Sequence, residues 1–395
     1  MNNKMTATVA LMAVFTLAIC FIILGSISIE LMAALNIDGG QFGTLVTALF
    51  LTSCIVQIFI GPLVDKVGYK PVAILGFLVT SLSMFMLAFS SSFSLALIAC
   101  IFLGIGAMSL NTVGNTLIPV VLFEGKDPAR ASNFGNGFFG LGYTLTPLLV
   151  VFILNVLKLS YTAALIIIGI FSLIFLIFVF LANFPKVSSG YKLSMAFKLL
   201  SKGAVLIGAL ALFCFTSMDS SMGTWIKKLM EELYRAAGNN INAASKAGLV
   251  LSLFGVAMMA GRFLSSAIKN LTAKGSKVIF LMSLLSVVAI ILMIVAKSPG
   301  LGIFAVLLAG FAFGPIFPTI IGVTFAKFDP SLYGSIFGII FSVGLLGGTF
   351  VPKFIGNLSV GSTVQQSLPI AAIIASILVV ISLVIGRVGV PKKNS

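Results

Sequence analysis

The sequence predicts an all-α integral membrane protein whose twelve transmembrane helices form two six-helix bundles. Three observations carry that prediction: an apolar composition, apolar runs of bilayer-spanning length, and a basic-residue bias that depends on the span count. Of the 395 residues, 59% are hydrophobic and 8% are charged, where a soluble domain carries about 25% charged residues. Lipid is the solvent that suits such a chain. In lipid every backbone polar group must be paired internally, which leaves helices or closed barrels. The runs are about 20 residues long, the length of a spanning helix and twice that of a barrel strand.

Taken in order, the apolar runs fall near 6–27, 41–63, 71–89, 95–119, 133–157, 161–183, 203–226, 247–268, 277–296, 300–324, 332–356 and 367–386. The stretch Met1 to Met5 leads directly into the first run, which reads as a span and not as a removed signal peptide. A polar break at 186–202 is expected to be a cytoplasmic linker between an N-terminal bundle, 1–185, and a C-terminal bundle, 203–395. The seventh run continues into Lys227, Lys228, Glu231, Glu232 and Arg235, where opposite charges four apart predict a solvated helical extension.

With the N-terminus placed in the cytoplasm, 17 of the 24 lysines and arginines face that side and 7 the other. This is the asymmetry of the positive-inside rule. Arg262 is counted among the 17, late in the eighth run. Both termini are then cytoplasmic, and a monomer in a bacterial inner membrane is expected. The formal charge of +15 is thereby topology, and no basic run interleaved with aromatics points to nucleic acid. The chain has no histidine, which removes histidine metal sites, bases and proton relays. Cys20, Cys54, Cys100 and Cys214 lie inside apolar runs without CxxC spacing and read as small buried residues. No metalloprotease, cysteine–histidine or nucleotide-loop motif is present, so neither enzyme chemistry, a cofactor, a metal nor ATP-driven pumping is expected.

The halves echo each other. Gly61 and Gly261 are 200 residues apart, Gly106 and Gly310 are 204 apart, and Pro147 and Pro352 are 205 apart. Paired six-helix repeats are a transporter architecture, with the solute site expected near the bilayer midplane.

The connection after the second run reads Gly61-Pro62-Leu63-Val64-Asp65-Lys66-Val67-Gly68-Tyr69-Lys70. It resembles the signature loop of the major facilitator superfamily. Gly61 would let two helices approach closely and Gly68 would permit the turn. Asp65 would sit against a neighbouring helix N-terminus and a basic partner, latching one conformation. Arg130 to Gly142, Leu251 to Phe263, Gly314-Pro315-Ile316-Phe317-Pro318-Thr319 and Gly347-Gly348 before Pro352 are similar to the fifth, eighth, tenth and eleventh helices of the fucose–galactose–glucose:proton symporter branch. Leu110 to Asn115 follows the fourth. The resemblance implies the major facilitator fold and transport of a small solute. It also implies proton-coupling acids in the first and fourth helices, but here Asn111 holds the fourth-helix position and the first run carries only Thr16, Cys20 and Phe21 at its core.

Asp219, sixteen residues into the seventh run, is the acid that stands out. A charge at a helix centre costs about 2.5–3.5 kcal/mol on insertion scales, so it is expected to line the cavity and to couple transport to protons or sodium; the alternatives are a water-exposed acid near the outer mouth and a structural hydrogen-bonding role. Gln57, Asn111, Asn115, Asn133, Asn136, Tyr143, Trp225 and Thr319 join it as candidate substrate contacts. Amides and hydroxyls beside an aromatic suit a sugar, although amides also join helices in membranes. Gly61, Asp65, Gly68, Pro315 and Pro318 are the candidate gating residues, the two prolines by breaking the tenth helix. No lysine or arginine is expected at midspan to receive an anion. The reading that follows is a secondary active transporter of a small neutral polar solute, a monosaccharide first. An uncoupled sugar facilitator and a drug or metabolite exporter are the alternatives.

Overall fold

A computed structural model describes residues 3–37, 39–185, 199, 201–239, 243–359 and 362–388. Among them every regular element is a helix, and 12 helices are long and apolar enough to cross a membrane. The linker expected at 186–202 falls outside the described residues except for Leu199, Ser201 and Lys202.

The helices are α1 (Asn3–Ser26), α2 (Ser28–Leu35), α3 (Gly39–Val67), α4 (Tyr69–Ala88), α5 (Phe93–Val121), α6 (Pro128–Val151) and α7 (Tyr161–Leu181). They are followed by α8 (Gly203–Ala236), α9 (Ala243–Ser266), α10 (Leu271–Val295), α11 (Pro299–Phe313), α12 (Ile316–Phe325), α13 (Tyr333–Leu358), α14 (Val364–Ser367) and α15 (Pro369–Ile385). Several begin where their sequences dictate. Ser92, Ser160 and Ser298 each accept a hydrogen bond from a first-turn N–H of the helix that follows, satisfying one of the donors that a helix start leaves unpaired. Large side chains stay exposed along the helices, including Phe59 at 67%, Phe89 at 68% and Leu249 at 66%. That is the surface of a protein solvated by lipid.

Two compact units emerge. One comprises Met1–Glu124, Phe138–Ala196 and Pro330–Gly338; the other comprises Gly125–Gly137, Phe197–Asp329 and Ile339–Ser395. The first thirteen residues of the stretch after Glu124 therefore pack with the second unit, and the start of α13 packs with the first. In the first unit α5 is buried on nearly every side. Gly104 makes this possible: a Cβ there would lie 2.7 Å from the carbonyl oxygen of Leu49, so only glycine admits α3 at that distance.

In the second unit the tenth span is two helices, as its prolines predict. The break lies at Gly314 and Pro315, between α11 and α12. Pro318 falls in the first turn of α12, where its missing N–H removes no helical bond. Five rings pack around the break: Phe215 lies 6.3 Å from Phe313 and 5.9 Å from Phe317, and Phe254 and Phe341 lie 5.9 Å from Phe313 and Phe317 respectively. The seventh span runs on to Ala236, and Arg235 pairs with Glu231 at 2.8 Å, so the charged stretch is the exposed helical extension that its spacing predicts.

Candidate functional site

Three amides of the first unit are paired with one another. Gln57 on α3 donates to Thr112 Oγ1 at 3.2 Å, Asn111 on α5 donates to Gln57 Oε1 at 3.2 Å, and Asn115 donates to Asn111 Oδ1 at 2.9 Å. Gln57, Asn111 and Asn115 are at most 2% exposed. Their side chains join α3 to α5, the helix-joining role that amides take in membranes.

Tyr143 is 43% exposed and belongs to a different group. Its ring stacks on Phe139 at 6.1 Å; Phe139 meets Phe21 at 6.5 Å, and Phe21 meets Phe50 at 5.3 Å. Four rings from α1, α3 and α6 thus form one continuous aromatic patch. Of these only Tyr143 stood among the expected contacts. The four-residue spacing of Phe139 and Tyr143 on one helix is the signal that points to the patch.

The first unit also holds the signature loop. Asp65 lies within α3 and is 3% exposed. Its Oδ1 accepts from Gly334 N at 2.9 Å and its Oδ2 from Ser335 N at 2.6 Å. These are first-turn amides of α13, where the helix dipole favours an anion. The expected helix N-terminus is present, and no cation meets Asp65 among the described residues. A Cβ on Gly61 would run into the Gly334 carbonyl oxygen, so Gly61 brings α3 against α13 for this contact. Gly68 has φ 87°, the left-handed turn between α3 and α4 that glycine adopts freely.

In the second unit, Asp219 on α8 is partly exposed and makes no hydrogen bond among the described residues. The charge that acts on it is Arg262. Arg262 lies inside α9, as its place in the eighth run predicts, and is 5% exposed. Its Nε donates to Gly314 O at 3.2 Å and its Nη1 to Asn136 O at 3.2 Å. The guanidinium is thus buried near one end of the span, four residues before the end of α9.

Asn133 and Thr319 meet each other, with Asn133 Nδ2 donating to Thr319 Oγ1 at 2.9 Å, and both are fully buried. Asn136 is buried as well and donates to Ser132 O at 3.0 Å. Trp225 donates from Nε1 to Pro352 O at 3.0 Å, and a Cβ on Gly356 would lie 2.7 Å from its ring. Trp225 is thus packed against α13.

A model of the Major Facilitator Superfamily matches residues 9–352. A crystal structure of the E. coli fucose:proton symporter FucP superposes with a TM-score of 0.78 over 98% of this chain and 100% of that one, at 18% identity, a likeness of fold. Quinolone resistance protein NorA of Staphylococcus aureus is 30% identical over 115 residues, 29% of this chain and 29% of NorA. The chromaffin granule amine transporter of Rattus norvegicus is 29% identical over 102 residues, 26% of this chain and 20% of that protein. The chain thus matches less than a third of the length of either relative.

Proposed function

Because this chain belongs to the Major Facilitator Superfamily, we propose that it is a secondary carrier for a small uncharged solute with a flat ring face, a monosaccharide first. The solute crosses by alternating access, the 1–185 bundle rocking against 203–395, with both termini on the cytoplasmic side of a bacterial inner membrane. The observation that carries the substrate class is the patch of Phe21, Phe50, Phe139 and Tyr143. It offers ring faces and a phenol hydroxyl, with no charged group among them. A sugar lays its C–H face on such rings and keeps its hydroxyls for polar groups. A fucose:proton symporter of the same fold makes sugar and proton the first pair to try. Asp219 is the coupling residue, because an unbonded carboxyl inside a membrane helix can load and release an ion.

A second reading is export of apolar ring compounds. It is favoured by the mutual pairing of Gln57, Asn111 and Asn115, which withdraws amides from a sugar. The local likeness to a quinolone resistance protein points the same way.

Uptake of labelled sugars into proteoliposomes, with and without an imposed proton or sodium gradient, separates these readings. Gradient-driven accumulation of a hexose, lost in Asp219→Asn while counterflow persists, is the expected result. Full accumulation by Asp219→Asn removes the coupling role. Counterflow that ignores every gradient makes the protein a facilitator. Failure of every sugar together with quinolone extrusion selects the second reading.

A further inference from the structure

The second unit carries an open groove between α10 and α15. Val287 and Ile291 line it from α10, and Ile373, Ser376, Ile377 and Val380 line it from α15. It holds about 360 Å³, a volume on the scale of one acyl chain. Its polar side chain, Ser376, is engaged within its own helix, donating to Ala372 O at 2.8 Å. Ile373 and Val380 are 60% and 64% exposed, so among the described residues nothing covers the groove.

The two helices touch at the end where α10 begins. A Cβ on Gly386, the residue after α15, would lie 2.8 Å from Ser276 Oγ. The residues that follow this contact are Lys277 and Arg387, so two cations stand side by side at one mouth of the groove. Both are exposed, and neither side chain has a hydrogen bond or a carboxylate partner among the described residues. A seven-residue spacing ties each to the groove: Lys277, Leu284 and Ile291 share one face of α10, and Ile373, Val380 and Arg387 continue along α15. Arg387 is not engaged in capping α15. Lys327 does that, its Nζ donating to Ile385 O and, at 2.7 Å, to Val388 O. Lys269 and Lys274 are exposed at the same end. Val380 lies about 10 Å along the helix axis from Arg387, so the groove opens within the leaflet on the basic side of a hydrocarbon core about 30 Å thick.

We propose that this groove is a binding site for an anionic phospholipid. One acyl chain lies between α10 and α15, and the phosphate sits between Lys277 and Arg387. A zwitterionic lipid brings the same chain, but its ammonium group offsets the attraction to the cations. A second copy of this chain, seated there in the same membrane orientation, would bring its own Lys277 and Arg387 to the same depth, like charge against like. In the topology proposed above the leaflet is the cytoplasmic one; the site itself depends on neither that topology nor the solute.

The test is native mass spectrometry of the delipidated full chain, titrated with phosphatidylglycerol or phosphatidylcholine of matched acyl chains. A basic residue near a lipid headgroup contributes roughly a fivefold preference, so the parent is expected to bind its first phosphatidylglycerol at least about tenfold more tightly than phosphatidylcholine. Lys277→Gln combined with Arg387→Gln brings the two lipids to within about threefold of each other. Lys277→Gln alone falls between and covers the case in which the double variant does not fold. Ser376→Phe fills the groove and weakens the first binding of both lipids. Arg235→Gln removes a cation from the exposed extension of α8 and leaves the preference as it is in the parent. An undiminished preference in Lys277→Gln and in the double variant overturns the proposal. An equal loss in Arg235→Gln overturns it too, since net charge alone would then attract the lipid. So does a dimer that Ser376→Phe dissolves, which would seat a second copy in the groove.

Discussion

Asp65→Asn tests whether the signature-loop carboxylate stabilises the protein as its geometry requires. The carboxylate accepts from Gly334 N at 2.9 Å and from Ser335 N at 2.6 Å while 3% exposed. Asparagine supplies one acceptor and turns an NH2 group toward the other backbone N–H. One charge-assisted bond, about 1.5–3 kcal/mol, is lost and one buried N–H is left unpaired, at about 1–3 kcal/mol. The helix-dipole attraction of about 0.3–2 kcal/mol goes with the charge. Relaxation and entering water recover part of this, so roughly 2–5 kcal/mol remains. On the scale of soluble proteins, whose unfolding entropy grows with chain length, that is a drop of roughly 2–6 °C in thermal midpoint for 395 residues, read by fluorescence-monitored melting of the purified protein in detergent. Asp65→Glu keeps the charge but misplaces it, and falls between. A midpoint for Asp65→Asn within about 1 °C of the parent, on the same scale, would refute the argument that these two bonds are made in the membrane-embedded protein.

Asn111→Ala removes the middle of the Gln57–Asn111–Asn115 chain and is expected to lower stability by about 0.6–2 kcal/mol, with KM for any transported solute nearly unchanged. A large KM increase at unaltered stability would instead make Asn111 a substrate contact. Gly322→Ala drives a Cβ into the backbone of Ala129, where no side-chain rotation relieves it. It is expected to cost about 1–3 kcal/mol and to reduce the yield of monodisperse protein in size-exclusion chromatography. Arg235→Ala removes the 2.8 Å pair with Glu231 on an exposed helical extension. A change below about 0.5 kcal/mol is expected, and a midpoint shift beyond 3 °C would contradict a solvated extension.

The spans and the signature loop were legible because their physics is local. A run of about 20 apolar residues crosses lipid whatever packs beside it. Gly68 turns the chain by its own φ, and Pro315 breaks the tenth span by its own ring. The exposed extension of α8 was legible for the same reason, from charge spacing along one helix. The aromatic patch was half legible: Phe139 and Tyr143 share a helix face, but Phe21 and Phe50 come from two other helices, and no spacing within one segment announces them.

What the sequence by itself determined is the solvent, the number of spans, the places where they turn or break, and one acid at the end of α3. The tertiary structure decided what each polar side chain does. Gln57, Asn111 and Asn115 are alike in sequence to residues that bind a sugar, and they became a helix-joining chain because their partners lie across the α3–α5 contact. Arg262 entered the sequence reading only as one basic residue of the charge bias, and the fold placed carbonyls from Asn136 and Gly314 around its guanidinium. Asp127 stands out by no motif or spacing in the sequence, and the fold brings the Leu271 and Thr272 N–H groups of α10 to it. A helix period tells which residues share a face. Which donor or acceptor meets that face is settled only when distant helices are packed together, because a buried polar group takes whatever partner the fold delivers.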